Sequence, residues 1–336
     1  MNYRVLSQYR TELMGVAMLW VMFFHANDLN MGHPTLEWIR AAGFGGVDIF
    51  ILLSAMALAM SLLRHDQEYT AFMHRRAERI LPAYYIVEIP YTLFLIVTQG
   101  VFWSALVWNT TLLYYWMRSS GSFNWYVAGI MTFYAITPFC VRKLRAARHR
   151  EGLTAAGVLC GLLLCQLFVQ EGYWYVMDVF YRVPVFFLGL LLGFYVHEDR
   201  KLGGKDWAFW GVWLLIGIAY VKAMGVQQDV VILPLCHLFL FTTVPMCFGL
   251  CWCFEKLPLG WLRNFFRLIG EHSLEIYLFN ISFFSQIALW RKVFTFGPSN
   301  RLFYLVMFTL NILCGILLHK LVAWLMGRFK KEKAVS

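Results

Sequence analysis

Residues 18–28 read MLWVMFFHAND, and a histidine at position 25 ends a run that is otherwise oily. An imidazole can take up and release a proton near neutral pH, so His25 is a candidate general base. Asp48 lies in a second apolar stretch, GGVDIFILLSAMALAMSL (45–62). A carboxylate there is a candidate orienting partner: by accepting a hydrogen bond from one ring nitrogen it leaves the other as the base. The alternative is a polar pair that only fixes helix packing. Arg182, Lys222, His237, Glu275 and His319 complete the ionisable groups inside apolar stretches, where each is costly and marks a site by default. A further constellation is HRRAERILPAYY (74–85). Arg76 and Arg79, three apart, share a helix face and are spaced to clamp phosphate oxygens, although arginine in such a position also serves topology alone. Pro82 predicts an extended or kinked backbone at Leu81.

These residues need a membrane around them, and the composition provides one. The chain is 60% apolar and 14% charged, against roughly 45–50% and about 25% in soluble domains, which makes it an integral membrane protein. Apolar stretches at 43–63, 179–196, 230–254 and 302–327 are each long enough for a helix to cross a hydrocarbon core of roughly 30 Å. The residues do not alternate as in a β-barrel. The first apolar segment follows Arg4 and Arg10 with no small-residue cleavage pattern, so a retained signal anchor is expected. A net charge of +10 would suit nucleic acid, but the positive residues sit at 64–79, 142–150, 200–205 and 256–267 and in the tail GRFKKEK. Basic loops in this alternation are cytoplasmic topology signals, and no nucleic-acid partner is expected. The eight cysteines lie in or beside apolar segments. Those of CWC (251–253) project about 200° apart on a helix, so they are read as apolar filler and no metal is expected.

Eleven apolar segments can be counted. The fourth, VFWSALVWNTTLLYYWM (101–117), is short, carries Asn109, Thr110 and Thr111 at its centre, and reads as interfacial or re-entrant. Without it, the expected fold is an all-α integral membrane protein: one polytopic bundle of about ten transmembrane helices with both termini cytoplasmic. A single domain then spans 1–336, with 328–336 as a flexible cytoplasmic tail. Counting from an outer end of span 1 near residue 30 and a start of span 2 near Gly43 puts His25 and Asp48 level. Arg182, about three residues into the seventh of the eleven apolar segments, joins that outer polar layer. Small-xxx-small spacings at Gly157/Gly161 and Gly189/Gly193 predict close helix packing.

A base within the membrane and an arginine pair at its cytoplasmic mouth suit a donor shaped like acyl-coenzyme A, held by its phosphates with the reactive end threaded inward. The blocks ELMGVAMLWVMFFHAN (12–27), GGVDIFILLSAMALAMSL (45–62), RRAERILPAYY (75–85), FNWYVAGIMTFYAITPF (123–139), YRVPVFFLGLLLGF (181–194) and IGEHSLEIYLFNISFF (269–284) resemble, in order, those of the membrane-bound acyltransferase type 3 family. The resemblance covers nearly the whole chain. It implies a ten-helix enzyme moving an acyl group, commonly acetyl, from acetyl-CoA or another acyl-CoA to a hydroxyl of a cell-envelope carbohydrate. It marks His25 as the catalytic candidate and Arg76 and Arg79 as the Arg-x-x-Arg motif. The chain departs from the family at Met14, where arginine is common and Arg10 one turn earlier is the nearest substitute, and at Asn280, where histidine is common.

On this reading His25, oriented by Asp48, deprotonates the acceptor hydroxyl or is itself acylated first. Arg182 stabilises the oxyanion, and Glu275 either binds sugar hydroxyls or packs helices. The expected partners are a carbohydrate acceptor and membrane lipid, and the expected location is a plasma membrane, specifically a bacterial inner membrane. The competing readings are a proton-coupled transporter or flippase of envelope precursors, in which the His/Asp pair relays protons, and a non-catalytic scaffold.

Overall fold

The computed structural model describes residues 1–117, 124–224, 238–258, 260–294 and 300–335, and among these it is built from helices, with one isolated β-bridge between Asn2 and Lys201. The principal helices are α1 (Arg10–His25), α2 (Pro34–Ala41), α3 (Gly46–Arg64), α4 (Tyr69–Gln99), α5 (Trp125–Ala146), α6 (Arg150–Gln170), α7 (Val183–His197), α8 (Gly204–Met224), α9 (Leu238–Lys256), α10 (Gly260–Glu271), α11 (Ser273–Ile281) and α12 (Asn300–Val335). Seven helical stretches among the described residues are long and apolar enough to cross a membrane, where ten spans were expected. α1 has only 16 residues. The expected span at 268–289 is broken: α10 ends at Glu271, α11 begins at Ser273, and a 3-10 turn (Phe283–Ser285) follows. His237 lies outside the described residues, as does the Lys222 side chain.

α3 is the axis of the bundle. Apart from Asp48, Ser54 and Ser61 its residues are apolar up to Arg64, and it is buried on nearly every face, as expected of a helix that is oily all round. α7 lies along it, and the glycines explain how closely. A Cβ at Gly189 would stand 2.5 Å from the Leu52 carbonyl oxygen, and one at Gly193 2.7 Å from that of Met56. Gly157 and Gly161 of α6 receive Phe187 and Val183 of α7 in the same manner, so both predicted small-residue stripes are packing seams.

The tightest approach joins α1 to α10. A Cβ on Gly270 would fall 1.8 Å from the Thr11 carbonyl oxygen, and one on Gly15 1.9 Å from that of Phe266. Because the obstacle is backbone, Gly270→Ala is expected to force the helices apart at an overpacking cost of about 1–3 kcal/mol. A lower Tm in detergent would show it, whereas an unchanged Tm would mean that the two helices separate freely.

The stretch 101–117 does not cross the bundle. It forms two short helices, Ser104–Thr110 and Tyr114–Met117, fastened to α4 by polar bonds. Tyr84 donates to the Asn109 carbonyl (2.8 Å), Tyr85 to that of Thr110 (3.1 Å), and Asn109 Nδ2 to Thr92 Oγ1 (3.2 Å). The asparagine and threonines that mark this segment as unfit for lipid therefore have their partners inside the protein.

Pro82 does not start α4, and the backbone at Leu81 is helical, not extended. The helix runs unbroken over 31 residues, with Pro82 and Pro90 inside it, so Arg76 and Arg79 ride the same helix that enters the bundle. A proline removes one backbone bond, and packing against neighbouring helices makes that loss tolerable.

Ion pairs and hydrogen bonds gather the basic residues at one end. Arg145 Nη2 donates to the Leu62 carbonyl (3.1 Å), Arg267 pairs with Glu12 (2.6 Å), Arg200 pairs with Asp206 (2.7 Å), and Arg150 with Glu198. The opposite end carries His25, the α2 turn and the Asp28–Arg291 pair. The final helix continues through the basic tail to Val335.

Candidate active site

At the basic end a cavity of about 260 Å³ opens between α1, α3, α4, α5 and α11. Arg10, Arg76 and Arg79 all line it, and no aspartate or glutamate does. None of the three guanidinium groups is in an ion pair among the described residues, and the buried Nε of Arg76 has no hydrogen-bond partner. The α4 pair stands on one helix face, as the spacing predicted. Arg10 reaches it from α1, close enough for mutual repulsion with both. Met14, where the resemblance leads one to look for arginine, lines the same cavity one turn deeper. Three cations converging without a counter-charge in a partly desolvated cleft repel one another, an arrangement relieved by a polyanionic ligand. Tyr134 and Ser54 add hydroxyls to the wall.

The cavity runs down α3 from Ser61 to Val47, about 21 Å along the axis at 1.5 Å per residue. Its deep end is lined by Val47, Phe50, Tyr126 and Tyr277, with the two tyrosine rings edge to face at 5.0 Å and Phe50 against Tyr126 at 6.3 Å. These tyrosines escaped the sequence reading. Their signal was a phenolic hydroxyl in each of two apolar segments that was given no partner.

Beyond the tyrosines lies a second polar layer, and it differs from expectation. Asp48 does not pair with His25. Its Oδ2 faces Nε of Arg182 at 3.6 Å, with both side chains 2–3% exposed. Arg182 caps the start of α7, donates to the Asp178 carbonyl (2.6 Å) and the Phe44 carbonyl (3.4 Å), and stacks on Trp125 at 4.6 Å. The reason is register. The helical path into α3 begins at Pro34 and passes through a 3-10 turn at Ala42–Gly45, so Gly43 is no helix start. Gly46 abuts Ala17 and Val21, and Gly43 abuts Trp20 and Phe24. Asp48 is therefore level with Ala17, roughly two turns and about 12 Å below His25.

His25 is the last residue of α1, which ends there and not near residue 30. Arg40 of α2 donates to the Ala26 carbonyl (3.2 Å) and holds that end in place. The ring is oriented by its own helix: Nδ1 stands 3.0 Å from the Val21 carbonyl oxygen. A carbonyl can only accept, so the neutral ring carries its proton on Nδ1 and its lone pair on Nε2. The half-buried ring thus keeps an unprotonated Nε2 without help from Asp48. Asn280 of α11, 5% exposed, approaches it with Oδ1 buried and unbonded. That oxygen is placed to accept from an imidazolium once one forms. Tyr277 and Asn280 are one turn apart on α11, so this helix carries both a lining residue of the cavity and the neighbour of His25.

Glu275 is not in this layer. Its carboxylate is 2.8 Å from His319 Nδ1 on α12, away from the cavity. Of the two roles foreseen for Glu275, the geometry supports helix packing over a sugar ligand.

No curated protein and no solved structure matches the chain. Residues 13–320, which hold both polar layers, the tyrosine wall and all three cavity arginines but Arg10, match the acyltransferase domain of the type 3 family. With a helical membrane bundle around an arginine-lined cleft and a family match that covers most of the chain, the protein belongs to the acyltransferase type 3 family and is an acyltransferase.

Proposed function

We propose that this protein is an O-acyltransferase, most simply an O-acetyltransferase, that takes its acyl group from an acyl-CoA and delivers it to a hydroxyl of a cell-envelope carbohydrate. The observation that carries this reading is the pairing of sites at the two ends of one helix. Arg10 and His25 bound α1, about 22 Å apart along its axis. One faces a cation-lined cavity and the other ends in an oriented imidazole. The basic end is assigned to the cytoplasm by the positive-inside rule, in a bacterial inner membrane crossed by about ten helices. Arg10, Arg76 and Arg79 then hold the phosphates of a donor entering from the cytoplasm, and its thioester leads down the cavity toward His25.

The chemistry follows from the tautomer. Nε2 of His25 removes the proton from the acceptor hydroxyl, whose oxygen attacks the thioester carbonyl carbon. The tetrahedral intermediate collapses, the C–S bond breaks, and the departing sulfur takes the proton back from Nε2. Asn280 Oδ1 supports the imidazolium between the two transfers, and Arg182 supplies positive charge near the oxyanion. The ordering variant, in which Nε2 is acylated before the acceptor binds, uses the same groups. A proton-coupled transporter or flippase is not carried forward, because the chain is an acyltransferase.

The test is mass spectrometry of envelope glycans from cells with and without the protein, paired with thiol release from acetyl-CoA by the purified enzyme. A gain of one acetyl per acceptor unit supports the reading, and glycans identical in both cells with no thiol release defeat it. The arginine assignment has its own check. Arg76→Ala and Arg79→Ala are each expected to weaken CoA binding about tenfold or more, since a charge-assisted hydrogen bond contributes about 1.5–3 kcal/mol. The loss should shrink as salt is raised. Equal affinity in wild type and both variants, measured by titration calorimetry, would remove the arginines from the donor site.

A further inference from the structure

His25 does not line the cavity that holds the arginines, and two aromatic rings, Tyr126 and Tyr277, line its deep end. Tyr277 is 5% exposed and Tyr126 is half-buried; both line the far end of the cavity, in edge-to-face contact at 5.0 Å. Phe50 braces Tyr126 from α3 at 6.3 Å, and Trp125 adjoins it at 6.0 Å. On the other side of Tyr277, one turn along α11, Asn280 meets the imidazole. Arg182 and Asp178 lie close enough to the Tyr277 phenol to act on it electrostatically. The tyrosine pair thus stands between Arg10, Arg76, Arg79 and Tyr134 on one side and, on the other, the Asp48–Arg182 pair with His25 and Asn280 farther out.

A donor anchored by its phosphates at the arginines presents its acyl group first to these rings. The geometry points to Tyr126 and Tyr277 as an acyl-length gauge, two rings that pass a short acyl thioester to the His25 layer and exclude longer chains. The inference rests on the donor reading above and specifies its substrate class. The physical basis is volume. The cavity measures about 260 Å³, and the rings at its deep end are held by Phe50 and Trp125, so each added methylene lengthens the chain against aromatic side chains fixed by packing. A site of this kind discriminates about 10- to 200-fold per methylene at best, so acetyl, butyryl and hexanoyl donors should separate widely.

The experiment uses the purified full-length protein in detergent, with acetyl-, butyryl- and hexanoyl-CoA as probes. Affinity is read by competition against bound CoA, and turnover by thiol release with water as acceptor. Wild type is expected to prefer acetyl-CoA over hexanoyl-CoA by about a hundredfold or more. Tyr277→Ala and Tyr126→Ala should each reduce that preference about tenfold by improving the long donor. Tyr277→Phe and Tyr126→Phe should keep the preference, because ring size and not the hydroxyl sets it. Tyr277→Leu and Tyr126→Leu, which preserve apolar packing, stand in should an alanine variant fail to fold, and are expected to relax the preference in the same direction. The inference is overturned if wild type accepts hexanoyl-CoA as well as acetyl-CoA, or if folded alanine or leucine variants retain the wild-type preference. CoA that binds in an Arg76- and Arg79-dependent manner while the length preference stays fixed removes the gauge alone. CoA that does not bind removes the donor reading and the gauge with it.

Discussion

His25→Ala is expected to lower acyl transfer between about a hundredfold and ten-thousandfold, the range contributed by a positioned general base, while leaving the fold in place. The second half of that expectation separates a catalytic loss from a collapse. His25 is half-buried at the end of α1, and its hydrogen bond is to Val21, on the same helix. Removing it sacrifices one local bond worth about 0.5–1.5 kcal/mol and leaves the contacts of α1 with α3 and α10 intact. Thiol release and acceptor acylation should both fall, with Tm nearly unchanged. His25→Gln, which restores a donor toward Val21 but has no basic nitrogen, should be as inactive as the alanine variant. A glutamine enzyme with wild-type turnover would show that the ring acts by shape and hydrogen bonding, and His25 would lose its assignment as the base.

The buried pair of Asp48 and Arg182 carries the second large effect, and it falls on stability. Both groups are almost wholly enclosed, and the guanidinium also serves two backbone carbonyls and the Trp125 ring. Arg182→Ala strands the Asp48 carboxylate in a low-dielectric interior, a change that costs about 3–5 kcal/mol when a buried pair is broken. The variant is expected to give little monodisperse protein and a Tm well below wild type. Asp48→Asn combined with Arg182→Met should recover most of the lost stability, since replacing such a pair with neutral groups of similar volume is often neutral or better. A double-mutant cycle on Tm reads the coupling. An Arg182→Ala protein that folds like wild type would contradict the stability expectation, and loss of transfer in that protein would leave the arginine only its role at the oxyanion. Wild-type transfer by the stable double variant would instead remove Arg182 from the oxyanion.

The pairing of Asp48 with Arg182 also shows where reading the chain in one dimension stops. A carboxylate and a histidine in neighbouring spans looked level because each was counted from an assumed membrane boundary. The helix leading into α3 starts nine residues before Gly43, at Pro34, and that offset moves Asp48 about two turns down to meet Arg182. Glu275 and His319, 44 residues apart, meet for the same reason: lateral neighbours in a bundle are set by packing, and hydropathy carries no information about them. The unbroken α4 through Pro82 and the break between α10 and α11 likewise depend on the helices packed around each segment.

Some features were legible from residue type and local spacing alone. The membrane class follows from composition, because few charges and long apolar runs admit no other solvent. The failure of 101–117 to cross follows from Asn109 and its threonines, and the glycine seams of α6 and α7 follow from the four-residue repeat. Arg76 and Arg79 share a face because a helix turns 100° per residue, and His25 stands out as an ionisable group at the end of an oily run. Local geometry is written in the chain, since periodicity and side-chain chemistry act over one or two turns. Tertiary structure alone decided that Arg10 joins the arginine pair, that the Val21 carbonyl and not Asp48 sets the imidazole tautomer, and that Tyr126 and Tyr277 stand between donor cavity and base. Each depends on the axial register of helices distant in sequence, a quantity determined by how their side chains interlock.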